Sequence, residues 1–285
     1  MRTLAPLLFV LIWSTGFLVG RGVAPHADPF LFLIARFGLV AAFFAAAACA
    51  ARAPWPRGAR RIGLHLLAGA LMSGLYVGPS WWAMAHGMAA GVMALLGALQ
   101  PLFTALIAVL VLGQRLPART WWALAVGFTG VALVIAPRLA AHGAGALTPA
   151  IVAAAVGSIL ALTVGAMVQK SPLAAGDIRS ASAVQNLSAT LVVALMAVTL
   201  GTGHWDHSVT LWASLAWAVL VLSIGGVTLL VWLMRHGEAT RTAALVLAVP
   251  PLAAAQSWAI LGETLTPVQL AGFALAIGGV ALARR

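Results

Sequence analysis

The chain is a succession of apolar runs, most of them unbroken for roughly 17 to 25 residues and joined by short stretches rich in Gly, Pro and charge. An α-helix needs about 20 such residues to cross the roughly 30 Å of a bilayer's hydrocarbon. The runs lack the alternation of barrel strands, so they predict an all-α membrane protein. Reading run against connection gives ten transmembrane helices, at 4–22, 29–51, 62–83, 89–112, 120–136, 149–168, 180–200, 209–234, 239–261 and 267–283. Composition closes the alternative of a water-soluble globule, since only 7% of residues are charged and the mean hydropathy is +1.06. The apolar run after Met1-Arg2 has the flavour of a signal peptide, but it is long enough to span and is read as a retained first helix.

Where the cations fall sets direction. With the N-terminus cytoplasmic, the inner side carries Arg2, Arg52, Arg57, Arg60, Arg61, Arg115, Arg119, Lys170, Arg179, Arg235, Arg241, Arg284 and Arg285, and the outer side only Arg21 and Arg138. That asymmetry puts both termini in the cytoplasm. It also disposes of nucleic acid as the meaning of the +11 net charge, because the basic residues sit in connections and form no single face. The lone cysteine, Cys49, lies in an alanine-rich run and is expected to pack; it has no partner for an intrachain disulfide.

Residues 87–133 recur, with one one-residue gap, at 237–282. Gly87 falls on Gly237, Pro101 on Pro251, and Gly113-Gln114-Arg115-Leu116 on Gly262-Glu263-Thr264-Leu265. The chain therefore divides into a first five-helix repeat (1–136), a periplasmic linker (137–148) and a second repeat (149–285). Five is odd, so the second copy enters the membrane upside down relative to the first. Inverted repeats permit one arrangement open inward and its near mirror open outward, the geometry of alternating access.

Both copies break a long apolar run with proline, Pro101 in one and Pro250-Pro251 in the other. Proline cannot donate to the carbonyl four residues back, which for Pro101 is that of Gly97, a residue with no side chain to cover it. Gln100 and Thr104 share that helical face by their spacing, and a ligand amine would find an open oxygen there; the alternative is a kink satisfied by a neighbouring hydroxyl. Ser73, Tyr76 and Ser80 make a polar stripe on the third helix, facing either a cavity or another helix. Ser182, Gln185 and Asn186 on the seventh helix are read as bonding helix to helix. Trp13 and Ser14 at the middle of the first helix, Trp81 after the Tyr76 stripe, Ser158 on the sixth helix and Pro250 complete the candidate substrate-binding set, with core packing the alternative for the two tryptophans. Most other tryptophans sit at span ends as interface anchors. Arg36, the one charge inside a span, either meets a substrate carboxylate, or snorkels outward or pairs with a backbone carbonyl. No Asp or Glu lies inside a span, which disfavours carboxylate-coupled proton transport, and the His204-Trp205-Asp206-His207 cluster lacks tetrahedral metal ligands. No metal, no cofactor and no catalytic residue is expected.

The stretches IWSTGFLVGRGVAPHADPFLFLIARF, GMAAGVMALLGALQPLFTALIAVLVLGQRL and GFTGVALVIAP resemble the EamA-type branch of the drug/metabolite transporter superfamily, and within it the aromatic amino-acid exporters of the YddG type. The resemblance implies a ten-helix, two-repeat transporter of the bacterial inner membrane that exports amino acids or related metabolites. Gln114 departs from it, standing where the family usually has the glutamate that Glu263 keeps in the second copy. The combined expectation is an uncoupled or exchange-type exporter of apolar or aromatic amino acids, threonine or methionine, working as a monomer or a homodimer. An exporter of lipophilic drugs or other metabolites, proton-coupled or not, is the alternative.

Overall fold

A computed structural model describes residues 4–111, 113–140, 146–171, 176–235 and 248–284, and the described residues are helical throughout apart from connections and one isolated β-bridge, Ala27 to Trp205. The helices are α1 Leu4–Gly22, α2 Pro29–Ala50, α3 Ala59–Ala85, α4 Ala90–Ala98, α5 Gln100–Leu110, α6 Ala118–Ala140, α7 Pro149–Gln169 and α8 Ile178–Leu200. They continue with α9, formed by Val209–Ala216, Trp217–Gly225 and Gly226–Arg235, then α10 Val249–Leu261 and α11 Pro267–Arg284. Seven of these are long and apolar enough to cross a membrane, and the bent pair α4–α5 makes an eighth.

Two expected boundaries change, and a third falls outside the described residues. The fourth span is two helices, α4 and α5, meeting at 44° around Leu99. The N–H of Leu99 turns back to the Leu96 carbonyl at 3.1 Å, a tightened last turn ahead of the proline ring. Residues 137–140, expected in the linker, extend α6, and Pro137 sits inside that helix. The start of the ninth span, 239–247, lies outside the described residues; what is seen is α10 beginning at Val249, with Pro250 and Pro251 in its first turn, where a missing N–H costs least. Cys49 is exposed, so it does not pack in the core as expected.

The repeated segments meet each other. At Gly130 an added Cβ would stand 2.4 Å from the Ala276 nitrogen, and at Gly279 one would stand 2.5 Å from the Gly127 nitrogen. Only glycine lets α6 and α11 approach so closely, the small-residue solution to packing where burial of apolar surface offers no drive. Arg119 near the start of α6 donates to the Leu282 carbonyl near the end of α11 (3.1 Å), and Gln269 near the start of α11 donates to the Val134 carbonyl toward the end of α6 (3.1 Å). The two helices are antiparallel. Their preceding loops are copies too. Gly113 and Gly262 both take left-handed backbone, each donating four residues back, while Gln114 N–H reaches Ala108 and Glu263 N–H reaches Ser257, six residues back. This is the same glycine-terminated helix end made twice.

Around this pair, α3 packs along α8 through Gly69, Gly74 and Gly78, which face Gln185, Val192 and Met196. The start of α2 is tied to the end of α8 by Asp28, whose carboxylate caps α2 at Phe30 (2.8 Å) and accepts from the Thr202 backbone and hydroxyl. These ties define two ends of the bundle. One carries Arg21, Asp28, Met84, Ala90, Thr202 and Glu263, and the other Pro54, Arg61, Asp177 and Ser180.

Candidate functional site

Two helices depart from α geometry at one region. Ala70–Gly74 of α3 and Trp217–Gly225 of α9 are π-helical, a winding that inserts one residue per turn and is concentrated at functional positions. Tyr76 follows the first π segment within two residues, and Ser223 lies in the second. Arg36 of α2 connects them. Its Nε donates to the Ser223 hydroxyl at 3.1 Å, and that hydroxyl donates in turn to the Ala218 carbonyl five residues back, a partner the π winding supplies. The guanidinium carbon stands 5.5 Å from the Phe37 ring and 5.6 Å from the Trp81 ring. Arg36 thus rests against α3 at Trp81, five residues beyond Tyr76 on the same helix.

Arg36 therefore points into the bundle and does not snorkel. A cation within a bilayer costs about 3 kcal/mol even on the mildest scale. One charge-assisted hydrogen bond, about 1.5–3 kcal/mol, and two cation–π contacts, about 0.5–1 kcal/mol each, offset that without an acid. Among the described residues only the Nε of the five-donor guanidinium is bonded. The terminal nitrogens are the fork that a carboxylate fits.

Tyr76 also borders the broken helix. A Cβ on Gly97 would lie 3.9 Å from the Tyr76 hydroxyl and 3.8 Å from Phe17 of α1, so Gly97, Tyr76 and Phe17 are neighbours. Thr104, expected beside the freed Gly97 oxygen, instead donates to the Gln100 carbonyl four residues back in its own helix, at 2.9 Å. Gln100 and Pro101 are half-buried, Pro250 is buried and Pro251 exposed.

The remaining candidates divide. Ser80 donates to the Tyr76 carbonyl (2.6 Å) and pairs with Ser158 of α7 (2.9 Å), whose hydroxyl also reaches the Ala155 carbonyl; both serines are buried, and together they bond α3 to α7. Ser14 is buried and donates to Leu11 of its own helix. Ser73, in the first π segment, is half-buried. Trp81 is 4% exposed, packed on Phe32 and against Gly20, whereas Trp13 is 39% exposed and stacks on Phe9. On α8, Gln185 does bond across helices, to Gln169 at 2.9 Å, while Asn186 bonds within its own helix. Three residues escaped the sequence reading: Ser223, Phe17, and Gln256 of α10, whose buried side-chain oxygen has no partner among the described residues. Ser223-Ile224-Gly225-Gly226 was the legible signal for the second π segment, a serine beside a glycine pair in an apolar span. Among the described residues no three His, Cys, Asp or Glu side chains converge as a metal site.

At the end of the bundle that carries Arg21, the two repeats are clasped. Arg21 Nε donates to Glu263 Oε1 at 2.9 Å and its Nη1 to the Met84 carbonyl at 3.1 Å. Glu263 Oε2 accepts from the Ala90 N–H at 3.0 Å and from the Ser257 hydroxyl. Ala90 opens α4, so the carboxylate also sits on a helix's positive end. Gln114, the matching residue of the first repeat, is exposed.

The model of the EamA-like transporter family matches residues 3–136 and again 149–285. The chain belongs to that family. EamA-like proteins are membrane transporters of small molecules, which accounts for the apolar helices and the paired repeats. A crystal structure of a protein is similar over 99% of this chain and 96% of its own, at 20% identity and a TM-score of 0.63, a likeness that speaks for the fold. No curated protein matches the chain.

Proposed function

We propose that this EamA-like transporter exports small zwitterions, amino acids with apolar or aromatic side chains foremost, through a site between its two repeats. The repeats are taken as inverted five-helix units in a ten-helix protein of the bacterial inner membrane, both termini cytoplasmic, opening alternately to each side. The juxtaposition of Arg36, Tyr76 and Gly97 carries the reading. A carboxylate seats on the free arm of Arg36, and an ammonium finds the carbonyls loosened at the Gly97–Pro101 break with the Gln100 amide beside them. Phe17, Trp13 and the Trp81 edge are the apolar surface for a side chain. Antiparallel packing of α6 on α11 supports the inverted arrangement, and the Arg21–Glu263 clasp supports a state closed at the outer end. With no acidic residue inside a span, transport runs down the substrate gradient or by exchange.

The test is efflux of labelled tryptophan, methionine and threonine from proteoliposomes with no ion gradient. Flux above protein-free vesicles for at least one of them, reduced at least about tenfold by Tyr76→Phe or Gln100→Ala through loss of a buried hydrogen bond to a charged group, is the expected result. Equal leakage with and without protein defeats the exporter reading. Flux that vanishes when a pH gradient is collapsed defeats the uncoupled one.

A further inference from the structure

At the arginine-rich end of the bundle, away from the site above, a cavity of about 70 Å³ lies between the 51–58 connection, the first turns of α3 and the start of α8. Pro54, Trp55, Arg61, His65, Asp177 and Ser180 line it. Its walls are fixed: Ser180 donates to the Pro54 carbonyl at 2.7 Å, and Asp177 caps α8 while pairing with Arg179 through both carboxylate oxygens at 3.0 and 2.9 Å. That pairing, led by the Arg179 hydrogen bond, holds the Asp177 carboxyl down at about 2, so its charge is already answered from outside the cavity.

His65 is the unanswered group. It is 1% exposed, and among the described residues its Nε2 has no partner. The Gln185 amide nitrogen lies 3.4 Å from His65 Nδ1 and can only donate to it, which puts the imidazole proton on Nε2. A buried N–H without an acceptor costs about 1–3 kcal/mol, and this one belongs to a residue that lines the cavity. Arg61, one helical turn earlier on the same face, brings an exposed guanidinium to the same space. α3 itself begins two residues before Arg61, with Gly58 as its N-cap and no side chain capping its first N–H groups. An orphan N–H, a fork-shaped cation and a helix's positive end all call for an oxyanion.

We infer that this cavity is a phosphate-binding site on the cytoplasmic face, held by His65 and Arg61 and filled by the phosphate of an anionic phospholipid or by free phosphate. The position favours lipid: the cavity opens where the connecting loop meets two membrane helices, and the exposed Trp55 beside it is the residue type that anchors at headgroups. The inference does not depend on the transport reading, because its readout is binding.

The experiment follows thermal unfolding of the purified full-length protein in a non-ionic detergent during titration with phosphatidylglycerol, with diacylglycerol of the same chains, or with inorganic phosphate. Phosphatidylglycerol raises the unfolding temperature and diacylglycerol does not. In Arg61→Gln and in His65→Phe the half-saturating concentration rises about tenfold or more, the loss of one charge-assisted hydrogen bond. Arg57→Gln, an exposed arginine outside the cavity, leaves it unchanged. A shift of the same size from inorganic phosphate, abolished by the same two substitutions, identifies the ligand as free oxyanion. Equal half-saturation in wild type and Arg61→Gln, whose exposed side chain leaves folding intact, overturns the site, as does the absence of a shift with both phosphate sources.

Discussion

Arg36 was legible in the sequence as the one intramembrane charge, but its direction was not, because its partner Ser223 lies 187 residues away and the serine-glycine signal of that π segment does not say which helix it faces. Tyr76 was singled out as polar within an apolar helix; that it borders Gly97 and Phe17 depends on how three helices cross. Ser80 and Ser158 show the converse limit, since a serine that glues two helices and one that faces a ligand look alike in sequence. At this scale the account predicts that Arg36→Leu leaves folding largely intact, because the roughly 3 kcal/mol of desolvation it returns about balances the Ser223 hydrogen bond and the cation–π contacts it loses, yet lowers the apparent affinity for amino-acid substrate at least about tenfold. Thermal unfolding and the concentration dependence of flux separate the two effects.

Element boundaries followed from apolar run length to within a few residues, and the Pro101 break from proline's missing donor. The extension of α6 past residue 136 was hidden because Pro137 reads as a stop when it is in fact tolerated in the last turns of the helix. Gly130 and Gly279 mattered more than their composition suggested, because they let two main chains touch. Gly130→Leu is expected to destabilise the protein by about 3 kcal/mol or to prevent assembly, through overpacking against the Ala276 backbone, which the melting temperature in detergent reports; Gly38→Leu, where nothing stands within 4 Å, is expected to change it little. The loop that staples α2 to α8 is pH-sensitive in a defined window. Hydrogen bonds from the Ser208 backbone and from His26 hold Asp206 at about 2, below its usual 3.8. A depressed acid stabilises above its unfolded pKa and loses that contribution as pH falls through the folded value. Hydrogen exchange at residues 202–208 should stay slow down to about pH 4 and quicken between there and about pH 2, once the intrinsic pH dependence is removed.

Across the whole molecule, the duplication and the bias of cations toward one side were plain in the sequence, and the antiparallel contact of α6 with α11 gives them a physical axis. What the repeat alignment only hinted at is an asymmetry: Glu263 clasps Arg21 and the start of α4, while its counterpart Gln114 stands exposed at the opposite end. If the repeats rock, that clasp must open. Glu263→Gln should shift the balance toward the outward-open form about tenfold, the equivalent of roughly 1.4 kcal/mol from one charge-assisted contact. The most direct measurement places spin labels at His86→Cys and Thr264→Cys, two exposed positions flanking the clasp, in a Cys49→Ser background that removes the only native thiol. Pulsed electron resonance is expected to give a short distance in the otherwise unaltered protein and a second, longer one that grows with Glu263→Gln and changes in weight with saturating tryptophan. A single short distance under all three conditions would contradict alternating access through this end of the bundle.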